Sequence, residues 1–282
     1  MRSRSALAGL APLAALAAVL AGCGGGGSKF PPIGAATQIG LTPPPGTVVD
    51  AREWGSRDLA IARKGGVTTI QVVGPQGGAV NGLHVVLNGR AARVCGRGCY
   101  RATTGTGAVT VKIGGRSWRF DLPASAPSGA ARIAAAQKAF TQLKTVSLRQ
   151  KLGSSPTVFS VANFVFVAPD KLRYEIEGGS QAVIVGRHRW DRVSASDGWT
   201  QSAQDRVDVM HVPWRRAIDA HVVAPDVVTF YDPGTRAWFR VTLQPATSLP
   251  TTVLMTGVSH FMVDRFSGFD APATIAPPIV SK

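Results

Sequence analysis

Residues 171–177 read Lys-Leu-Arg-Tyr-Glu-Ile-Glu, an alternation of charged and apolar side chains over the whole stretch. Because successive side chains of a β-strand point to opposite faces, this pattern predicts a strand with one face in water and the other on a core. Further strands are predicted nearby, over 147–152, 158–167, 182–185, 227–231, 238–243, 253–258 and 261–266. The second half of the chain is therefore predicted to form an antiparallel sheet.

A helix is predicted directly before these strands. Residues 130–143 carry Ala, Ile, Phe and Leu at helical spacing with polar and charged residues between them. They follow a linker rich in Pro, Ala and Ser at 123–129. A helix followed by meandering strands predicts a curved sheet, a half-barrel wrapped around the helix, over residues 129–278.

The preceding part of the chain, residues 47–123, predicts a different β unit. We expect about seven short strands there, separated by Gly-rich breaks such as Gly65-Gly66 and Gly114-Gly115. Seven strands in some eighty residues are typical of an immunoglobulin-like β-sandwich. The predicted fold class is therefore mainly β, with a sandwich followed by the half-barrel.

The N-terminus predicts a lipoprotein signal. Arg2 and Arg4 precede the apolar stretch 6–20, so residues 1–22 are typical of a signal peptide. Residues 20–23, Leu-Ala-Gly-Cys, resemble the lipobox of bacterial lipoproteins, in which the Cys23 thiol is acylated after cleavage. Residues 23–46 would then be the lipidated Cys and a Gly/Pro-rich tether. The alternative is an uncleaved membrane anchor followed by an incidental cysteine.

The remaining two cysteines predict a disulfide. Cys95 and Cys99 lie in the stretch Cys-Gly-Arg-Gly-Cys, where two glycines allow a tight loop, and a compartment outside the membrane permits oxidation. Metal binding by the two thiolates is the alternative, although the spacing is not that of a CxxC pair and the loop holds no histidine.

Several motifs of the second half resemble those of the LolA-like family of lipoprotein carriers. They are the run 165–174 (Val-Phe-Val-Ala-Pro-Asp-Lys-Leu-Arg-Tyr), Ile184-Val185-Gly186, Trp190, Trp199, Asp232-Pro233, Trp238-Phe239, Met255 and His260-Phe261-Met262. The resemblance implies an antiparallel half-barrel whose apolar concave face is covered by helices and holds acyl chains. The tandem with the sandwich resembles the extracytoplasmic tail of actinobacterial copper-resistance fusion proteins of the CopC/CopD type.

Two kinds of ligand site are predicted. An apolar cavity would be lined by residues expected on inward strand faces: Phe164, Phe166, Tyr174, Val185, Trp190, Trp199, Phe239, Met255 and Phe261. A filled core is the alternative for the same residues. Imidazole and thioether groups together suit copper, and the alternative ligands are His260, Met262, Met210 and His211.

Composition and motifs narrow the function further. No GxSxG, HExxH or Walker A motif is present, and the one GxGxxG spacing falls in the Gly-rich run 22–27, directly after the apolar stretch of the predicted signal peptide rather than after a predicted strand, so we expect no enzyme and no cofactor. Residues 46–128 carry a net charge of +7, which would attract anionic headgroups or envelope polymers. We expect a non-catalytic protein, anchored at the extracytoplasmic face of the cell membrane, that binds or relays an apolar or lipid ligand, with an envelope membrane protein as a further partner and no nucleic acid partner. The alternatives are an extracytoplasmic accessory protein in copper handling and a purely structural interaction module.

Overall fold

The structure, a computed structural model, describes residues 42–75, 78–257 and 260–280 of the 282-residue chain. The predicted signal peptide, Cys23 and the tether up to residue 41 lie outside the described residues. Within the described ranges, no helix is both long enough and apolar enough to cross a membrane.

The strands described in the first half of the chain form two antiparallel sheets. Their bounds are β1 (Val48–Trp54), β2 (Arg57–Lys64), β3 (Val67–Val73), β4 (Val85–Leu87), β5 (Arg90–Ala91), β6 (Arg93–Gly96), β7 (Cys99–Thr103), β8 (Val109–Ile113) and β9 (Arg116–Phe120). The five-stranded sheet has the order β1-β2-β3-β7-β6, and the four-stranded sheet has the order β5-β4-β8-β9. We call these two sheets the N-terminal sandwich.

An apolar core lies between the two sheets of the N-terminal sandwich. In β8, Val109, Val111 and Ile113 are buried while Thr110 and Lys112 are exposed, the alternation of a strand with one face on a core. The facing sheet contributes alternate residues of β2 and β3 to the same core. The mainly β, antiparallel character is confirmed, and the immunoglobulin-like topology of residues 47–123 stays a prediction.

The β6–β7 hairpin carries the disulfide between Cys95 and Cys99, with the two Cα atoms 5.1 Å apart. Gly98, in the turn, has φ +64°, and a Cβ at this position would lie 2.8 Å from the Val72 carbonyl oxygen. Only glycine accepts both the left-handed backbone and so close a neighbour. The predicted pairing of the two cysteines is therefore seen in the structure.

The second half of the chain forms one antiparallel sheet of eleven described strands, which we call the C-terminal sheet. They are β10 (Thr145–Ser155), β11 (Val158–Val167), β12 (Lys171–Ile176), β13 (Gln181–Val185), β14 (His188–Arg192), β15 (Thr200–Ala203), β16 (Ile218–Ala224), β17 (Val227–Asp232), β18 (Ala237–Leu243), β19 (Pro250–Gly257) and β20 (His260–Ser267). Their order is β15-β14-β13-β12-β11-β10-β20-β19-β18-β17-β16.

Helix α1 (Ala130–Thr141) lies on one face of the C-terminal sheet. Its buried side chains, Ile133, Ala136 and Phe140, recur at helical spacing. A Cβ on Gly129, the residue before the helix, would lie 2.5 Å from a methyl group of Val228. Glycine at this position therefore allows α1 to begin directly against β17.

The opposite face of the C-terminal sheet packs against the N-terminal sandwich. Small residues of β1 and β2, such as Ala51, Ala60 and Ala62, meet Tyr231 and Trp238 in a buried apolar cluster. Around this cluster, Asp50 pairs with Arg240 at 3.0 Å and Glu53 with Lys151 at 3.2 Å. The strands of the C-terminal sheet that meet the sandwich are therefore buried on both faces.

Candidate functional site

The face of the C-terminal sheet that carries α1 is a continuous apolar surface. Alternate residues of nearly every strand contribute to it, and α1 packs on it through the Phe140 ring, whose centroid lies 5.4 Å from that of Phe266. Phe164, Phe166 and Tyr174 form one aromatic group, with centroid distances of 5.5–5.7 Å. Phe230 and Phe239 stack at 5.1 Å and form a second group. This apolar face is the candidate site.

Residues 204–217, here called the covering segment, cross the apolar face without regular secondary structure. The Val209 N–H donates to the Pro169 carbonyl at 3.3 Å, and the Arg206 guanidinium pairs with Asp170 at 2.7 Å. At the other end, the Arg215 N–H donates to the Asp232 carboxylate at 2.8 Å. Four apolar side chains of the segment are buried on the sheet: Val209, Met210, Val212 and Trp214.

The C-terminal sheet is large enough to curl. Strongly twisted open sheets rarely exceed about ten strands without curling, splitting or flattening, and this sheet has eleven described strands. The covering segment crosses one face of it, from the contact of Val209 with Pro169 to the contact of Arg215 with Asp232 at the end of β17. We therefore take the apolar face, which α1 and the covering segment cover, as the concave face of the sheet.

The covering segment buries polar atoms that find no partner. Trp214 is buried between aromatic rings, 5.5 Å from the Phe230 centroid and 6.3 Å from that of Phe239. Its indole N–H makes no hydrogen bond with any residue that the structure describes, and neither does the buried side-chain nitrogen of Gln204. An unpaired buried donor costs about 1–3 kcal/mol. Both unpaired donors therefore lower the free energy with which the covering segment binds to the sheet.

One polar pair lies within the apolar face. The Gln150 side-chain amide donates to the Asp264 carboxyl at 3.0 Å, and both residues are buried on adjacent strands. Burial raises the pKa of Asp264 to about 7, and the Gln150 hydrogen bond opposes that shift. The carboxyl is therefore about half ionised near pH 7 and largely neutral well below it, so the site offers hydrogen-bonding groups to a ligand with reduced charge.

Five of the nine residues predicted to line a cavity lie together on this face: Phe164, Phe166, Tyr174, Phe239 and Met255. The structure places the other four on the opposite face. Val185, Trp190 and Trp199 pack around Ile275 of the C-terminal tail. Phe261 is fully buried on the side of the sheet that faces away from α1, with the Lys151 ammonium 5.2 Å from its ring centroid.

Comparisons with known proteins find likeness among solved structures. No protein-family model and no curated protein matches the chain. A solved structure to which it is similar is that of a LolA superfamily protein from Nitrosomonas europaea, with 11% sequence identity and a TM-score of 0.29. The match covers 53% of this chain and 96% of that protein. The LolA-like assignment of residues 129–278 and the likeness to copper-resistance proteins stay predictions.

The residues predicted as alternative copper ligands have different surroundings. Met210 and Met262 are buried in the apolar core, and the Met262 sulfur lies 3.6 Å from the Gln150 amide nitrogen. His260 is exposed at the start of β20, and His211 is half-buried. No three side chains of the type His, Cys, Asp or Glu converge to hold a metal ion anywhere in the described part of the chain.

A pocket of about 260 Å³ lies on the outer face of the C-terminal sheet, away from α1. The C-terminal tail forms one of its walls through residues 271–274, and the strands contribute Ser147, Val165 and Arg173. It is smaller than the usual 300–1,000 Å³ of a drug-sized ligand site, and it is partly open to solvent. The concave face beneath the covering segment therefore remains the stronger candidate for an apolar ligand.

Proposed function

We propose that this protein is a non-catalytic lipoprotein of the cell envelope, anchored through Cys23 at the extracytoplasmic face of the membrane. It binds or relays an apolar or acylated molecule on the concave face of its C-terminal sheet. The anchor rests on the lipobox-like residues 20–23. The binding site rests on one observation, a large apolar face whose cover includes an irregular segment with unpaired buried donors.

The ligand would replace the covering segment on the apolar face. Burying an apolar side chain contributes about 1.5–3 kcal/mol, so the four buried side chains of the segment hold it with roughly 6–12 kcal/mol in all. A chain of about 16 methylenes contributes about 13 kcal/mol at 0.8 kcal/mol each. A long acyl chain can therefore displace the segment, whereas a short one cannot. The pair of Gln150 and Asp264 would meet a polar group of such a ligand.

Weakening the covering segment is expected to increase ligand affinity. In the Val209→Ala variant the closed state loses apolar contact, so a larger fraction of the molecules has an accessible site. Apparent affinity rises in proportion to that fraction. We expect at least a fivefold lower Kd for a fluorescent long-chain fatty acid, measured by titration of its emission.

The matched control is Val183→Ala. Val183 is 5% exposed and Val209 is 3% exposed, but Val183 lies on the outer face of the sheet against Ile275. Both variants lose two methyl groups from a buried valine. Circular dichroism and thermal unfolding would check that both variants are folded and similarly stable. Equal fatty-acid affinity in both variants, or no binding by either, would contradict an apolar site beneath the covering segment.

A further inference from the structure

The N-terminal sandwich presents a row of exposed arginines along one edge. Arg90, Arg93 and Arg97 follow one another through β5, β6 and the hairpin turn, and Arg101 lies directly opposite Arg93 on β7. All four are exposed, and none forms an ion pair with a described residue. From residue 90 to residue 97 an extended chain runs about 23 Å. We call these residues the arginine edge.

The acidic residues of the sandwich do not neutralise this edge. Asp50 and Glu53 pair with Arg240 and Lys151 of the C-terminal sheet. Asp58 is fully buried, and Asp121 pairs with Arg119 at 3.3 Å. These four are the acids between residues 42 and 128. The field outside the arginine edge is therefore that of uncompensated positive charge.

The arginine edge is also a free edge of the fold. β5 and β6 are terminal strands in the orders of their two sheets, and all four residues of β6 are exposed. Val94, between Arg93 and Cys95, is 70% exposed, and because it pairs with Tyr100 its side chain projects on the opposite face of β6 from Arg93 and Arg101. The disulfide between Cys95 and Cys99 fixes the hairpin that carries Arg97. Cations and an exposed apolar side chain thus lie on the two faces of one edge strand, and both can contact a surface that the strand meets edge-on.

We infer that the arginine edge docks on the surface of an anionic lipid bilayer. Guanidinium groups bind phosphate oxygens strongly, and each basic residue near such a surface contributes about 1 kcal/mol. Val94 distinguishes a bilayer from a soluble polyanion, because an apolar side chain gains by entering the headgroup boundary and gains little against a hydrated polymer. The inference is independent of the proposed apolar ligand and of acylation at Cys23.

Vesicle binding by residues 42–282 tests this surface, because this part of the chain holds both apolar cores and lacks Cys23. We expect it to co-sediment with vesicles of phosphatidylcholine and phosphatidylglycerol in equal parts. Binding to pure phosphatidylcholine vesicles should be much weaker, and salt should reduce binding to the mixed vesicles because it screens the charges. Equal binding to both vesicle types would overturn the inference.

Two pairs of variants locate the contact. Arg93→Gln should lower the vesicle partition coefficient about fivefold, equivalent to about 1 kcal/mol. Arg187→Gln, which changes an exposed arginine in the turn between β13 and β14, should lower it less than twofold. Val94→Asp should lower it about tenfold, because it also places an anion among the arginines. Val193→Asp changes a valine that is 75% exposed elsewhere and should have little effect. Equal losses in both members of either pair would overturn the inference.

Linear polyphosphate serves as the competing partner. The same protein could bind polyphosphate more tightly than it binds the mixed vesicles, and Val94→Asp could weaken vesicle binding no more than Arg93→Gln does. These two results together would assign the arginine edge to a soluble polyanion instead. Because the fatty-acid titration uses no vesicles, failure of the docking surface and failure of the apolar site are seen in separate experiments.

Discussion

Replacing Asp50 with alanine is expected to lower the free energy of unfolding by about 2–4 kcal/mol. The Asp50 carboxylate is fully buried on β1 and accepts hydrogen bonds from Arg52 at 2.7 Å and from Arg240 of β18 at 3.0 Å. Its loss leaves two guanidinium groups, each with less than a third of its side chain exposed, without their anion. Urea unfolding at neutral pH measures the change.

Asp121→Ala is the matched control for this variant. It removes the same groups from a side chain that is 83% exposed and pairs with Arg119 in solvent, where an ion pair contributes about 0–1 kcal/mol. A loss of similar size in both variants would show that the Asp50–Arg240 pair does not hold the sandwich on the C-terminal sheet.

Removing the charge from either of two buried carboxyls is expected to stabilise the protein at alkaline pH. Asp58 is fully buried, and its carboxyl oxygens find no hydrogen-bond partner in the described part of the chain. Burial, and then the nearby Glu53, raise the pKa of Asp58 from 3.8 to about 8, and Lys151 opposes the shift. The pKa of Asp264 is raised to about 7, mainly by burial.

The sign of this effect follows from proton binding. An acid with a higher pKa in the folded chain holds its proton more tightly there than in the unfolded chain, so its contribution to stability declines as the pH rises from about 4 to about 8. Asparagine carries no charge at any of these pH values. Relative to the wild type, we therefore expect the free energy of unfolding of Asp58→Asn and of Asp264→Asn each to be about 2–4 kcal/mol higher at pH 8 than at pH 5.

Urea unfolding at both pH values gives the comparison, and Asp121→Asn should show no gain because Asp121 is exposed. A gain at pH 5 equal to that at pH 8 would mean that the two buried carboxyls do not titrate in this range.

Strands with one face in water were predictable from the sequence. In β12, Leu172 and Tyr174 are buried while Arg173 and Glu175 are exposed, as the alternation of residues 171–177 indicates. Edge strands lacked that signal: all four residues of β15 are exposed, and its sequence, Thr-Gln-Ser-Ala, carries no apolar alternation. Periodicity predicted helix α1 and the positions of eight strands of the C-terminal sheet, whereas β14, β15 and β16 were not predicted.

The lining of the site was harder to predict, because several strands are buried on both faces. In β13, Ala182 and Ile184 face α1, but Val183 is equally buried under Ile275 on the outer face. In β20, Met262 faces the core while Phe261 is buried on the opposite side. Where both the odd and the even positions of a strand are apolar, the sequence does not show which side chains face the site. This accounts for the placement of Val185, Trp190, Trp199 and Phe261.

The covering segment shows a different limit. Residues 204–217 combine Asp205, Arg206 and Asp208 with scattered apolar residues, without helical or strand periodicity. Nothing local predicts that Met210 and Trp214 are buried, because their positions depend on the curvature of a sheet built from distant strands. The segment that decides access to the site was therefore visible only in three dimensions.

Native mass spectrometry of residues 42–282, secreted from a bacterial host and sprayed without added ligand, tests the proposed apolar site most directly. We expect a mass excess of several hundred daltons that is released on denaturation as a lipid or another apolar molecule, and a larger bound fraction in Val209→Ala than in Val183→Ala. A bare chain mass in all three proteins, unchanged after incubation with a long-chain fatty acid, would contradict the account and leave the concave face as an ordinary filled core.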